Sequence, residues 1–174
     1  MIKARAQSST GNHSLILAAV VVPILAATLL LSSVTLRAED TALEPSADYK
    51  PQDVVRIVID ALQNNSAAAD NDGIATVYRF ASPGNRANTG PLSRFTRMIT
   101  KGFPDMLNHT GARFDPMEVS GETAVQAVWL FTDSGAETGY AFQLGRQKSG
   151  QYKGMWMTDA VVPLGPGPRS GTKI

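Results

Sequence analysis

The 174-residue chain carries 16 basic and 15 acidic residues, for a formal net charge of +1, and has no cysteine. Disulfides, thiol nucleophiles and thiolate metal sites are therefore excluded. The near-neutral balance gives no electrostatic footprint for nucleic acid, which calls for a clearly basic surface.

The first feature in chain order is an apolar run. Lys3 and Arg5 precede LILAAVVVPILAATLLLSSV, from Leu15 to Val34, which contains no charged residue. About 20 apolar residues rising ~1.5 Å each match a hydrocarbon core of ~30 Å, and Pro23 is better tolerated in lipid than in a soluble helix. Residues 1–37 are therefore expected to form an uncleaved membrane anchor. The alternative is a cleaved secretory signal, which has a shorter apolar core and a small-x-small cleavage site. Leu36 spoils that pattern at Leu36-Arg37-Ala38. The basic residues ahead of the run favour an N-terminus inside. The domain is then expected outside the cytoplasm, anchored to the inner membrane or, after cleavage, periplasmic or secreted. Residues 38–50, polar and acidic with Pro45, read as a tether.

A folded domain is expected over residues 51–163. Pro51-Gln52-Asp53 suits a helix start, and Val54, Val55, Val58, Ile59 and Leu62 then recur at helical spacing. Asp70 or Asp72 is placed to cap a second helix with Ile74, Val77, Tyr78 and Ala81 on one stripe. Ser82-Pro83-Gly84-Asn85 reads as a turn. Thr89 is a candidate cap for a further helix, starting at Pro91, whose apolar face is Leu92, Phe95, Met98 and Ile99.

From Gly111 the period changes to two. A weak strand from Ala112 to Val119 is interrupted by Pro116, which predicts an edge position. Glu122 to Thr132 is a strong strand, with Val125, Ala127, Trp129 and Phe131 on one face and Ala124, Gln126, Val128 and Leu130 on the other. Asp133-Ser134-Gly135 and Lys148-Ser149-Gly150 are turn signals. Tyr140, Phe142, Leu144 and Arg146 share a face of the next strand, and Tyr152 to Val162 forms the last. Trp129, Phe131, Tyr140, Phe142 and Trp156 are expected to cover the helices. The tail, residues 164–174, is expected to be disordered. Helices followed by an antiparallel meander predict an α+β fold with the helices on one face of a curved sheet.

The segment ATVYRFASPGNRANTGPLSRF, with later strands ending in GMWMTDAVV, resembles an uncharacterised bacterial and plant family, domain of unknown function 4864. The resemblance runs from about Pro51 to Val162. It implies membership of the nuclear transport factor 2-like superfamily, with a cystatin-like cone of sheet around a long helix. That superfamily includes ketosteroid isomerase-like and dehydratase-like enzymes, ligand binders and dimerisation modules. No catalytic signature among them matches these residues, so the resemblance implies no catalytic residue.

The candidate site residues are Tyr78, Arg86, Asn88, Tyr140, Arg146, Trp156 and Asp159. Arg79, Arg86 and Arg94 surround the central motif, and a guanidinium fork suits carboxylate or phosphate. Asn85 and Asn88 can help Arg86 line a mouth. Tyr140, Arg146, Trp156 and Asp159 come from neighbouring strands, where an Asp and a Tyr could serve as base and oxyanion donor. Trp156 and Asp159 are three residues apart, however, so only a bulge would bring them together. An ion pair of Asp159 with an arginine of the central loop is the expected structural alternative. His109 lies four residues after Asp105, the spacing of an acid–base pair on a helical turn. No metal is expected, because Asp70-Asn71-Asp72 lacks the later ligands of a calcium loop. No cofactor is expected either, for want of a nucleophile elbow, a phosphate loop or a dinucleotide fingerprint. These features favour a module binding a small ligand or a protein partner. The alternatives are a small acid–base lyase or isomerase using Asp159 with Tyr140 or Tyr78, and a homodimerisation domain.

Overall fold

The computed structural model describes residues 42–167. The expected membrane or signal segment, the first part of the tether and the end of the tail lie outside the described residues. No helix among those described is long and apolar enough to cross a membrane. Four α-helices precede a mixed-length antiparallel sheet: α1 (Pro51–Gln63), α2 (Asp72–Phe80), α3 (Pro83–Thr89) and α4 (Leu92–Gly102), then β1 (Gly111–Phe114), β2 (Glu118–Ser120), β3 (Thr123–Phe131), β4 (Glu137–Arg146) and β5 (Trp156–Pro166). The fold is α+β, with helices first and an antiparallel sheet after them.

Local chemistry accounts for most helix boundaries. Pro51 opens α1, and the Asp53 carboxylate accepts the Lys50 N–H at 2.9 Å, satisfying a donor that the helix leaves free. The valine, isoleucine and leucine stripe of α1 is buried along its length. The start of α2 is capped differently from expectation. Asp72 lies inside the first turn, and Asn65 Oδ1, from the end of α1, accepts the buried Ile74 N–H at 3.1 Å. The carboxamide thus joins two helices while capping one. Close approach of α1 and α2 also requires Gly73, because a Cβ there would overlap the carbonyl oxygen of Ala61.

Ser82-Pro83-Gly84-Asn85 begins a helix rather than making a turn. Ser82 is the N-cap of α3 and its Oγ accepts the Asn85 N–H at 3.2 Å, while Pro83 occupies the first helical position. Serine before proline favours both outcomes, and the neighbouring strand decides between them, as shown below. Thr89 belongs to α3, where its hydroxyl donates to Asn85 O at 2.9 Å, and Pro91 stands at the N-cap of α4.

In the sheet, β1 and β2 both pair with β3, followed by β4 and β5, in the order β1-β3-β4-β5. Pro116 falls in the gap between β1 and β2, so the edge position read from it holds. Register places Ala124, Gln126 and Val128 opposite Leu144, Phe142 and Tyr140. All six are buried, and all but Gln126 belong, with Leu130, to one core cluster with α1, α2 and α4, joined by the partly buried Trp156 and Val161.

Trp129 and Phe131 therefore point away from the helices, contrary to expectation. Trp129 is accommodated on the other face by polar partners: its Nε1–H donates to Asp115 Oδ2 at 2.9 Å and the Arg113 guanidinium lies 5.3 Å from the ring centre. Arg113 in turn pairs with Asp115 at 2.6 Å and Glu137 at 2.8 Å. Strand β5 continues past Pro163 to Pro166 and so takes in the first three residues of the expected tail. It pairs only with β4 in the ladder and carries bulges opposite Gly139/Tyr140 and Gln143/Leu144. Edge strands and bulges are where a residue lacking N–H is accommodated.

Gly73→Ala should show that helix contact overrides helix propensity. Alanine in a helix interior ordinarily gains about 1 kcal/mol over glycine. Here overlap with Ala61 O should reverse the sign and cost about 1–3 kcal/mol, read from the urea midpoint of the variant against the wild type.

Candidate functional site

The helical and sheet halves meet at Thr158. Its carbonyl oxygen accepts the Ser82 N–H at 2.9 Å and the Asn85 side-chain Nδ2–H at 3.1 Å. Ala81 and Thr158 form an isolated parallel bridge beside these bonds. The helical segment thereby lies along the edge of β5, and α3 leaves it at an angle set by the N-cap.

A cavity of about 280 Å³ opens between these elements. Its apolar walls are Val77 of α2 and Ala81 just after it, Phe95, Met98 and Ile99 of α4, Phe103 and Met106 of the following turn, and Ala160 and Val161 of β5. Its polar groups gather along α3 and β5: Asn85, Asn88, Thr89, Thr158 and Asp159. The Thr158 hydroxyl is buried and has no hydrogen-bond partner within the protein. A buried hydroxyl left unpaired costs about 1–3 kcal/mol.

Two of the seven candidates, Asn88 and Asp159, line this cavity. Asp159 is exposed and makes no ion pair with an arginine of the central motif among the described residues. The expected tie between motif and strand exists, but Ser82 and Asn85 make it, to a backbone carbonyl. Asp159 is the extra residue of a bulge, since Leu144 faces Thr158 and Gln143 faces Ala160. Trp156 packs against the core whereas the Asp159 carboxylate lies against Gly145, so the bulge does not bring the two side chains together. The carboxylate of Asp159 lies against Gly145, in space that a side chain there would take.

Tyr78 and Arg86 lie on the other side of α3, in an open cleft of about 750 Å³. The Arg86 guanidinium is 5.7 Å from the centre of the Tyr78 ring and 4.9 Å from that of Tyr152. Tyr78 is held by its hydroxyl, which donates to Gly90 O at 3.1 Å, and by packing on Phe95. Arg79 is tied into the scaffold, donating to Leu43 O at 3.0 Å and Thr76 Oγ1 at 2.8 Å and lying 3.3 Å from Glu44.

The remaining candidates are structural. Tyr140 is buried on the core face of β4, and burial, aided by the charge of Asp105, raises its pKa above the ordinary phenol value. Trp156 packs against the core. Arg146 donates from Nε to Gly154 O at 2.9 Å and closes the β4–β5 turn. His109 is buried against α1, its Nε2 lying 3.3 Å from Ile59 O, whereas Asp105 is exposed, so the two form no acid–base pair. Among the described residues no group of three or more His, Asp or Glu is clustered to hold a metal.

With this geometry in view, comparison with known proteins gives one match. Residues 49–163 match the family described as "Domain of unknown function (DUF4864)". The chain belongs to the DUF4864 family. No curated protein and no solved structure matches it. The DUF4864 match covers α1 through most of β5 and therefore includes both the cavity and the cleft.

Two outcomes follow from the bonds described. Asn85→Ala should lower stability by about 1 kcal/mol, the net worth of one hydrogen bond, in equilibrium denaturation. An unchanged midpoint would show that the Ser82 backbone bond alone holds α3. For His109, burial lowers the imidazole pKa below its usual value. The unfolded chain therefore takes up a proton near pH ~6.5 that the folded chain resists. Stability should fall as pH drops from neutrality through that range, and His109→Gln should flatten the fall in melts recorded across it.

Proposed function

We propose that this DUF4864 domain is a binding module whose ligand is a small, largely apolar molecule with one polar end, held in the cavity between α2, α3, α4 and β5. The observation that carries the reading is the cavity itself, apolar over α2, α4 and β5 with uncharged Asn85, Asn88 and Thr89 gathered along one side. The volume of about 280 Å³ is roughly twice that of a cavity able to hold benzene (~150 Å³). It suits a ring bearing one hydroxyl or carbonyl rather than a drug-sized molecule.

This reading is favoured over a lyase or isomerase because an acid–base pair is not assembled around the cavity. Asp159 is its one titratable lining residue, and the lining includes neither Tyr78 nor Tyr140. The helices against one sheet face, and the bulged β5, are compatible with a nuclear transport factor 2-like cone. We place the domain outside the cytoplasm, tethered by the uncharged run from Leu15 to Val34. Homodimerisation is a second reading. It is supported by Val125 and Val162, each 42% exposed, which share the sheet face turned away from the helices with Ala127 and Ala141. A monomer in light scattering at micromolar concentration would remove it.

Asn88→Ala tests the primary reading, because it removes a polar lining group that makes no side-chain hydrogen bond among the described residues. Asn88 is exposed, so the stability of the unliganded protein should stay within about 0.5 kcal/mol. Binding of p-cresol, followed through the Met98 and Met106 methyl resonances, should weaken about tenfold, the loss of one good hydrogen bond, while binding of toluene should not. If neither compound shifts those methyls, the cavity is not the ligand site.

A further inference from the structure

The cleft on the far side of α3 is a separate site, and we infer that it binds a carboxylate-bearing small molecule through Arg86. The guanidinium lies over two aromatic rings, at 5.7 Å from Tyr78 and 4.9 Å from Tyr152. Arg79 and Arg86 are the half-buried arginines among the described residues, and they are used differently. Arg79 meets a carbonyl, a hydroxyl and a carboxylate. Arg86 makes no side-chain hydrogen bond and no ion pair among the described residues.

Stacking covers the faces of a guanidinium and leaves its N–H donors in the plane. Arg86 lines a cleft of about 750 Å³ whose walls include Pro83 and Pro91. A planar carboxylate matches the fork with two parallel bonds, and the apolar walls would take the body attached to it. The Tyr78 ring is fixed before any ligand arrives, because its hydroxyl is tied to Gly90 O at 3.1 Å. Phosphate shares the charge but presents no plane and no apolar body, so the cleft favours the carboxylate.

The site is independent of the cavity. On α3, Asn85, Asn88 and Thr89 line the cavity, whereas Pro83, Arg86 and Ala87 line the cleft. Failure of one reading therefore leaves the other standing.

The test follows the Tyr78 and Tyr152 ring resonances of the full chain during titration with benzoate and, separately, with inorganic phosphate. Benzoate should give a saturable shift, and its affinity should fall about tenfold or more in Arg86→Ala, since hydrogen bonds to charged groups are the strong ones. Arg86→Lys keeps the charge without the fork. It should weaken benzoate binding too, and it serves as the decisive variant if Arg86→Ala fails to fold. Tight binding of phosphate with none of benzoate would overturn the assignment. So would no saturable shift with either anion, or equal benzoate affinity in wild type and Arg86→Lys.

Discussion

The Thr158 carbonyl oxygen holds the two halves of this domain together. A backbone carbonyl has two acceptor positions, and here the Ser82 N–H and the Asn85 carboxamide fill both. The consequences reach beyond one joint. Helix α3 has 7 residues, far below the ~12–15 at which an isolated helix becomes even marginal in water. It persists because its beginning is fixed to β5 and its end is approached by the Tyr78 hydroxyl at Gly90 O. The same contact lays a segment of chain along the free edge of β5, which would otherwise present unpaired backbone groups to other chains.

How far sequence reveals such a structure depends on the range of the deciding interaction. The α1 stripe and the alternation of β4 are local patterns set by burial, and both can be read directly. Ser82 and Pro83 suit a turn or a helix start equally well. What selects the helix is a carbonyl 73 residues away from Asn85. The cap of α2 is similar on a shorter scale, since Asn65 reaches across 9 residues where a reader looks for an aspartate beside the helix.

The sheet gives the same lesson in another form. Alternation in β3 defines two faces, but the register of Gln126 with Phe142 chooses the inner one. Size is a poor guide to that choice. Trp129 is stable on the outer face because Asp115 receives its indole N–H and Arg113 covers its ring. A single isolated residue type could not have shown this, because the compensating carboxylate lies on the connection between two other strands. Of the candidate site, Arg86 and Asn88 were legible as side chains on a motif, whereas the Thr158 hydroxyl was not. Nothing about a threonine in a strand signals that its own chain leaves it unpaired.

The division of polar chemistry across α3 has an electrostatic cause. An enclosed apolar space penalises an unpaired charge far more than an unpaired hydroxyl or amide. Accordingly the cavity side of α3 offers Asn85, Asn88 and Thr89, all uncharged, and the one ionisable lining group, Asp159, is exposed. The arginine is on the opposite side, where the cleft is open to water and two aromatic rings replace part of its hydration. Exchanging the two faces would set a guanidinium against mostly apolar walls and leave the cleft with no charge. The helix can carry both chemistries only because residues three and four apart share a face and their immediate neighbours do not. One short helix, held at both ends by backbone carbonyls, thus separates a site suited to an apolar molecule from one suited to an anion.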